Sequence, residues 1–327
     1  MSGSTPLVTI FGGSGFLGRY IARRMAKAGW RVRVAVRRPN EALFVRPYGT
    51  PGQVEPVLAN IRDDASVAAA LRGADAVVNC VGILAETSRQ RFESVHAEGA
   101  GRIATLAAKA GISNFIHVSA LGADAESDSE NARSKAEGEA LVLAAQPGAT
   151  ILRPSVMFGK DDTFFNRFAT LSRFMPVMFL PGLNTRFQPV FVDDVAAAAE
   201  TALLHGHAGV FELGGPDVET LRATLGRMLR ITRRRRLLLT MPFWLGRVMG
   251  GMIEFAHWMS LGIVPKLLTR DQVRQLRNDN VVAPDALGFA DLGITPTPMG
   301  PILPDYLWRY RADGQFEAIT ESARNLR

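Results

Sequence analysis

The chain has 327 residues and a single cysteine, Cys80. One thiol excludes a disulfide scaffold and any multi-thiolate metal or iron–sulfur site, and it fits a reducing compartment. Uncharged apolar runs stop well short of the ~20 residues that a membrane-spanning helix needs. The first of them, Leu7 to Phe11, leads straight into glycines, with no basic stretch or cleavage site beside it, so no signal peptide is expected. Tyrosine is scarce: Tyr20, Tyr48, Tyr306 and Tyr310 are the only four, and none stands between residues 49 and 305. The middle of the chain therefore has no phenol for proton transfer. The five histidines are scattered, and even His205 and His207 lack the companions of a metal site, so no metal is expected. With 47% hydrophobic and 21% charged residues the chain is not disordered, and it forms one large domain or two smaller ones.

What is present begins with an alternation. Short apolar strands over residues 7–11, 31–36, 54–58, 76–81 and 115–119, and one opening at Thr150, alternate with helical spacing over 16–28, 66–71, 96–110 and 133–145. That order predicts an α/β fold, a Rossmann-type doubly wound parallel sheet. Strand 76–81 is apolar but for Asn79, as expected when helices cover both faces. Past residue 160 the pattern loosens, with a strand predicted over 188–192, a helix over 195–204 and a strand over 210–213.

Gly12, Gly15 and Gly18 stand at G-x-x-G-x-x-G spacing between the first strand and the first helix. Without side chains the backbone turns tightly and can approach a pyrophosphate, to which the helix N-terminus offers free N–H groups and partial positive charge. Residues 1–160 therefore read as a dinucleotide-binding domain, and 161–327 as a smaller C-terminal α/β region interleaved with it. An acidic residue after the second strand would hold a ribose 2′-hydroxyl and repel a 2′-phosphate. Here Val36 is followed by Arg37 and Arg38, with no carboxylate before Glu41. Paired guanidinium donors suit a 2′-phosphate, which points to NADPH rather than NADH.

These residues, with several later ones, resemble the short-chain dehydrogenase/reductase superfamily in its extended or atypical branch. Asn60 and Ile61 occupy its adenine-reading segment, and Cys80, Val81 and Gly82 its loop beside the ribose and nicotinamide. Pro154, Ser155 and Val156 lie where the chain reaches the nicotinamide, while Val192-Asp193-Asp194 and Gly214-Gly215-Pro216 are further hallmarks of the branch. The resemblance adds Ser14, Phe16 and Leu17 of the glycine loop to the cofactor contacts. It also implies a catalytic Ser with a Tyr-x-x-x-Lys pair. Ser119 and Lys135 stand in those places, but Asn131 occupies the tyrosine position. An amide is no proton donor at neutral pH, so the resemblance implies retained cofactor binding by Ser119 and Lys135 without turnover, and no catalytic residue is assigned.

The net charge of +7 is unevenly placed: residues 219–277 carry twelve Lys or Arg against three acids, while residues 1–218 come to +1. Such an insert attracts polyanions (nucleic acid, anionic lipid or an acidic protein face), or is simply a solvated basic helix. Arg233 to Arg236 precede a block containing Trp244, Met252, Phe255 and Trp258. Aromatics that follow the arginines rather than interleave with them argue against nucleic acid. They suit a membrane–water interface, a hydrophobic partner groove, or a helix packed on its own core.

The tail narrows the resemblance. Leu267-Leu268-Thr269-Arg270-Asp271-Gln272-Val273, Asp291-Leu292-Gly293-Ile294-Thr295-Pro296 and Ile302-Leu303-Pro304 with Tyr306 and Tyr310 are similar to the nucleotide-binding accessory subunits of respiratory complex I, NADH:ubiquinone oxidoreductase. That resemblance implies a tightly held structural NADPH, a role in stabilising or assembling the junction of the peripheral and membrane arms, partners among the subunits of both arms, and anionic lipid. Because the first strand begins so near the start, a bacterial protein peripheral on the cytoplasmic side of the inner membrane is expected, with the matrix side of the mitochondrial inner membrane as the alternative. Two rival functions stay open: an active NADP-dependent reductase or epimerase, and an NADPH-responsive redox sensor.

Overall fold

A computed structural model describes residues 5–87, 90–260 and 268–311. Strand β1 (Leu7–Phe11), buried along its length, runs through a glycine turn into α1 (Phe16–Lys27). There follow β2 (Arg31–Val36), β3 (Val54–Leu58), α2 (Asp64–Leu71) and β4 (Ala76–Asn79). A π-turn at Glu93–Ala97 opens α3 (Glu98–Lys109), and β5 (Asn114–Val118), α4 (Glu130–Ala145) and β6 (Thr150–Pro154) complete this stretch. Next come β7 (Met157–Phe158), α5 (Phe164–Phe174), β8 (Val177–Leu180), β9 (Arg186–Phe187) and β10 (Val190–Phe191). The chain continues with α6 (Val192–His205) and β11 (Gly209–Leu213), then β12 (Glu219–Thr220), α7 (Leu221–Ile231) and β13 (Leu237–Thr240). Helices α8 (Phe243–Met259), α9 (Arg270–Gln275) and α10 (Met299–Leu307) end the described chain.

The chain divides into two units, and not by a single cut. The first comprises Met1–Ser155, Val192–Gly214 and Val282–Pro296; the second comprises Val156–Phe191, Gly215–Val281 and Thr297–Arg327. In the first, seven parallel strands run in the order β11-β6-β5-β4-β1-β2-β3. This is the α/β doubly wound sheet expected from the alternation. The order reverses between β1 and β4, which pair Val8 with Ala76, so a crevice opens at the carboxyl ends of these two strands. Phe11, Val77, Ile103, Phe115, Val142 and Ile151 build the core under α2, α3 and α4. Across the sheet α1 packs on α6, where Arg24 bonds Asp193 at 2.7 Å and Glu200 at 3.0 Å.

The second unit packs α5, α7 and α10 around Phe158, Phe165, Leu225, Met228 and Leu303. Within it the Tyr306 hydroxyl donates to Asp162 at 2.5 Å in the buried interior. Several boundaries differ from the sequence reading by one to three residues, and three of them bear on the site. Strand β4 stops at Asn79, although the Cys80 N–H still donates to the Phe11 carbonyl of β1 at 2.9 Å. Helix α4 starts three residues early, since the Ser129 side chain caps it by accepting from the Ala132 N–H. The strand predicted over 188–192 shrinks to β10, and Val192 already opens α6. Among the described residues no helix is long and apolar enough to cross a membrane. Lys266 and Leu267 of the basic insert lie outside the described residues.

Candidate functional site

The three loop glycines are needed for three different reasons. Gly12 has φ +75°, the left-handed region, and its N–H donates to the Ala35 carbonyl at 3.0 Å. At Gly18 an added Cβ would sit 2.4 Å from the Gly12 oxygen and 2.7 Å from the Gly13 Cα, so here glycine lets α1 close on the turn. Gly15 is exposed and has only the Gly12 oxygen nearby, at 3.1 Å. It is also the N-cap of α1, with no side-chain cap and no acidic residue in the first turn. The N–H groups of Phe16, Leu17 and Gly18 thus form an uncapped, electropositive helix end beside Ser14. A residue the sequence reading missed joins this loop: Arg19 donates to the carbonyls of Gly15 and Ser14, both at 3.2 Å, and stacks over Phe44. Its position one helical turn after Gly15 was the available signal.

The ends of β2 and β3 lie side by side, with Val36 in register with Leu58. This brings Arg37 and Arg38 next to Asn60 and Ile61. Both arginines are exposed; Arg38 reaches Glu41 at 2.9 Å, and Arg37 has no ion pair among the described residues. Asn60 turns the chain by accepting from the Arg62 N–H at 3.2 Å, while Ile61 packs inward against Gly99.

Lys135 is buried on α4, and its Nζ donates to the Val118 carbonyl at 3.4 Å. The same nitrogen borders Gly82, where a Cβ would come within 3.3 Å of it. Burial pushes the lysine pKa down to about 8, against the pull of the Glu139 carboxylate. Two buried histidines face this charge. Burial first, then Lys135, pushes His96 down to about 2 and His117 down to about 3, so both stay neutral. Each secures the loop after β4. His96 Nε2 accepts from the Ile83 N–H at 3.0 Å, whereas His117 holds Asn79, whose amide oxygen accepts from the Val81 N–H at 3.1 Å. Cys80, between them, keeps some exposed surface, yet burial of the thiol pushes its pKa up to about 12. Neither histidine was singled out as a site residue; only its depth in the fold distinguishes it.

In this cluster Ser119 Oγ and His117 Nε2 are buried with no hydrogen-bond partner among the described residues. Such atoms are open to pairing with a polar ligand. Asn131 is half-buried in the first turn of α4, one turn before Lys135, and its carbonyl accepts from Ser134 Oγ at 2.9 Å. Pro154 ends β6, and Ser155 follows it with its N–H donating to the Leu213 carbonyl at 2.9 Å. Val156 is the first residue of the second unit. Within the first unit, the glycine turn, the arginine pair and the Ser119–Lys135 cluster all leave from the carboxyl ends of strands of one sheet. Such a row can hold an elongated ligand carrying phosphates at one end and hydroxyl or amide groups at the other.

Residues 8–214 match the profile of the NAD dependent epimerase/dehydratase family. The chain is 34% identical over 318 residues to the mitochondrial NADH dehydrogenase (ubiquinone) 1 alpha subcomplex subunit 9 of Arabidopsis thaliana, covering 94% of this chain and 79% of that protein. It is 35% identical over 191 residues to the ceramide reductase of Caulobacter vibrioides, covering 58% and 59% of the two chains. The Escherichia coli NADPH-dependent quinone oxidoreductase QOR2, solved with NADPH, shares the fold at a TM-score of 0.68 and 20% identity, covering 92% of this chain and 98% of that one. A match of this length and identity places the chain within the NAD dependent epimerase/dehydratase family, in the branch of the complex I alpha subcomplex subunit 9 proteins.

Proposed function

We propose that this protein is a non-catalytic accessory subunit of respiratory complex I that holds NADPH as a structural group and stabilises the junction of the peripheral and membrane arms. The observation that carries the reading is the match to subunit 9 proteins along nearly the whole chain, joined to Asn131 at the position where a reductase needs a phenol. The cofactor fits what is present. A glycine cradle and an uncapped helix end suit a pyrophosphate, Arg37 and Arg38 a 2′-phosphate, and the orphaned Ser119 hydroxyl with the Lys135 ammonium a ribose and carboxamide. The nicotinamide group, when bound, supplies hydride chemistry; here Asn131 offers it no proton.

In this reading Gly12, Ser14, Gly15, Phe16, Leu17 and Gly18 bind the pyrophosphate, Asn60 and Ile61 border the adenine, and Cys80, Val81 and Gly82 line the ribose. Lys135 holds the ribose hydroxyls, and Pro154, Ser155 and Val156 border the nicotinamide. A ligand bound by the folded state alone stabilises it by about 4 kcal/mol at a thousandfold excess over Kd. The partners are subunits of both arms and anionic lipid, with no nucleic acid, and the chain sits peripherally on the membrane that carries the complex. The relatives along the whole chain are named mitochondrial, which supports the matrix side; the bacterial address inferred from the chain's start has no such support.

One observation favours a second reading. Ser119 and Lys135 remain in place and the Ser119 hydroxyl is unpartnered, as an active reductase using water in place of the phenol would require. Native purification from membranes, with mass spectrometry of companions and of released nucleotide, tests both. Stoichiometric complex I subunits with NADPH are expected. A free protein that turns over a carbonyl substrate overturns the reading. A redox sensor would need partner affinity to differ between loaded and empty protein.

A further inference from the structure

The second unit carries an apolar surface of unusual construction. Helix α8 packs on its own unit through glycine: a Cβ on Gly246 would meet Pro181 at 3.2 Å, and one on Gly250 would meet the Arg270 backbone at 3.0 Å. The opposite side of the helix holds its large residues. Trp244, Val248, Met252, Phe255 and Met259 recur every three or four positions and are all more than half exposed, with Trp258 beside them at 70%. A water-facing helix ordinarily shows the reverse pattern, with large apolar residues inward. The strand before it continues the surface. Leu237 and Leu239 of β13 point the same way as Val177 and Phe179 of β8, their register partners, and Leu237, Leu239 and Phe179 are exposed.

Beside that strand pair lies a cavity of about 980 Å3 whose walls include Arg222, Arg230 and the run Arg233 to Arg236 and, among the described residues, no carboxylate. Arg234 and Arg236 are anchored on backbone carbonyls of Tyr310 and Ser172, at 2.9 and 2.7 Å. Burial, and after it the nearby Arg236 and Arg173, push the Arg234 pKa down, the mark of a crowded cationic site. Leu237 and Leu238 line the same cavity, so the charge and the apolar platform are continuous.

We infer that this face is a membrane-docking surface: the arginine cavity receives the phosphates of anionic phospholipids while the strand pair and the α8 stripe enter the headgroup–acyl boundary. Charge complementarity selects this occupant. A protein groove would bury the stripe without needing six clustered guanidiniums, whereas an anionic bilayer supplies apolar depth and negative charge in one plane. Trp244 and Trp258 suit that boundary, where an indole keeps its N–H wet and its ring dry. The inference deepens the reading of a membrane-peripheral subunit and rests on it only for where the face points in the cell.

Flotation of the purified full chain with two vesicle types tests it: phosphatidylcholine alone, and phosphatidylcholine mixed with phosphatidylglycerol. Binding to the anionic vesicles only is expected. Arg230→Gln and Arg235→Gln should each weaken it about fivefold, and Trp244→Ser with Trp258→Ser should remove it without changing nucleotide content or the far-ultraviolet spectrum. Wild-type protein that ignores both vesicles, or variants that float as well as wild type, overturn the inference. So does a wild-type dimer in sedimentation that the tryptophan variant breaks, since the stripe would then serve a second copy. Vesicle binding without co-purifying complex I subunits would sink the functional reading and leave this surface standing.

Discussion

His96 joins Ile83 to Ser134: its Nε2 accepts from the Ile83 N–H, and its Nδ1 lies 3.0 Å from Ser134 Oγ. Because Ser134 donates its own proton to the Asn131 carbonyl, Nδ1 must carry the hydrogen, which settles the tautomer. A neutral ring thereby ties the loop after β4 to α4, from the π-turn that opens α3. His96→Phe keeps the ring volume but leaves two buried polar groups without this partner. It should cost about 2 kcal/mol, read by urea unfolding of nucleotide-free protein; an unchanged midpoint would contradict the role.

Lys135 yields a prediction with a defined sign. Its pKa falls from 10.5 to about 8 on folding, so between those values the unfolded chain binds more protons and stability rises with pH. Below pH 8 the buried ammonium costs about 3 kcal/mol, at roughly 1.4 kcal/mol for each pKa step. Lys135→Met should therefore raise the Tm of nucleotide-free protein at pH 7, flatten its rise toward pH 10.5, and shorten nucleotide retention. A lower Tm at pH 7 would show that the lysine is stabilising where it stands.

Two glycine variants separate packing from ligand approach. Gly18→Ala drives a methyl into the Gly12 carbonyl and should lose about 1–3 kcal/mol of stability. Gly15 has φ −68° and more room, so Gly15→Ala should unfold nearly as wild type. If a phosphate approaches Gly15, that variant alone should release nucleotide faster while keeping its stability. Equal loss of stability in both would reduce the loop to a packing device.

Charge reversal probes the cofactor's identity. Arg37→Glu with Arg38→Glu changes two exposed side chains, so the nucleotide-free fold should be unaffected. Bound NADPH should fall at least tenfold and NADH should be held in preference, measured on nucleotide released by acid. Undiminished NADPH would move the 2′-phosphate elsewhere, with Arg19 the next candidate, since it already lies on the glycine loop.

Much of the first unit was legible because its signals are local. Strand 7–11, the Gly12–Gly15–Gly18 turn and helix α1 follow from period, from absent side chains and from an uncapped helix start. That Arg37 and Arg38 emerge exposed at the end of β2 was legible because the strand before them sets where they leave the sheet. Arg19, His96 and His117 were not, since what they do depends on partners brought from other elements. Helix α4 was read as starting late because its cap, Ser129, sits in a polar run with no apolar period to mark it.

By itself the sequence determined the parallel α/β sheet, the glycine turn after its first strand, the absence of tyrosine between residues 49 and 305 and a basic, aromatic-rich insert, all of which rest on backbone preference or residue chemistry along the chain. Tertiary structure alone decided which side of that insert faces outward. Nothing in the order of residues 243–259 says that glycines would be the packed side. The close approach of α8 to Pro181 and to the Thr269–Arg270 backbone admits no Cβ at Gly246 or Gly250 without neighbours giving way. The same approach turns Trp244, Met252 and Phe255 to the solvent.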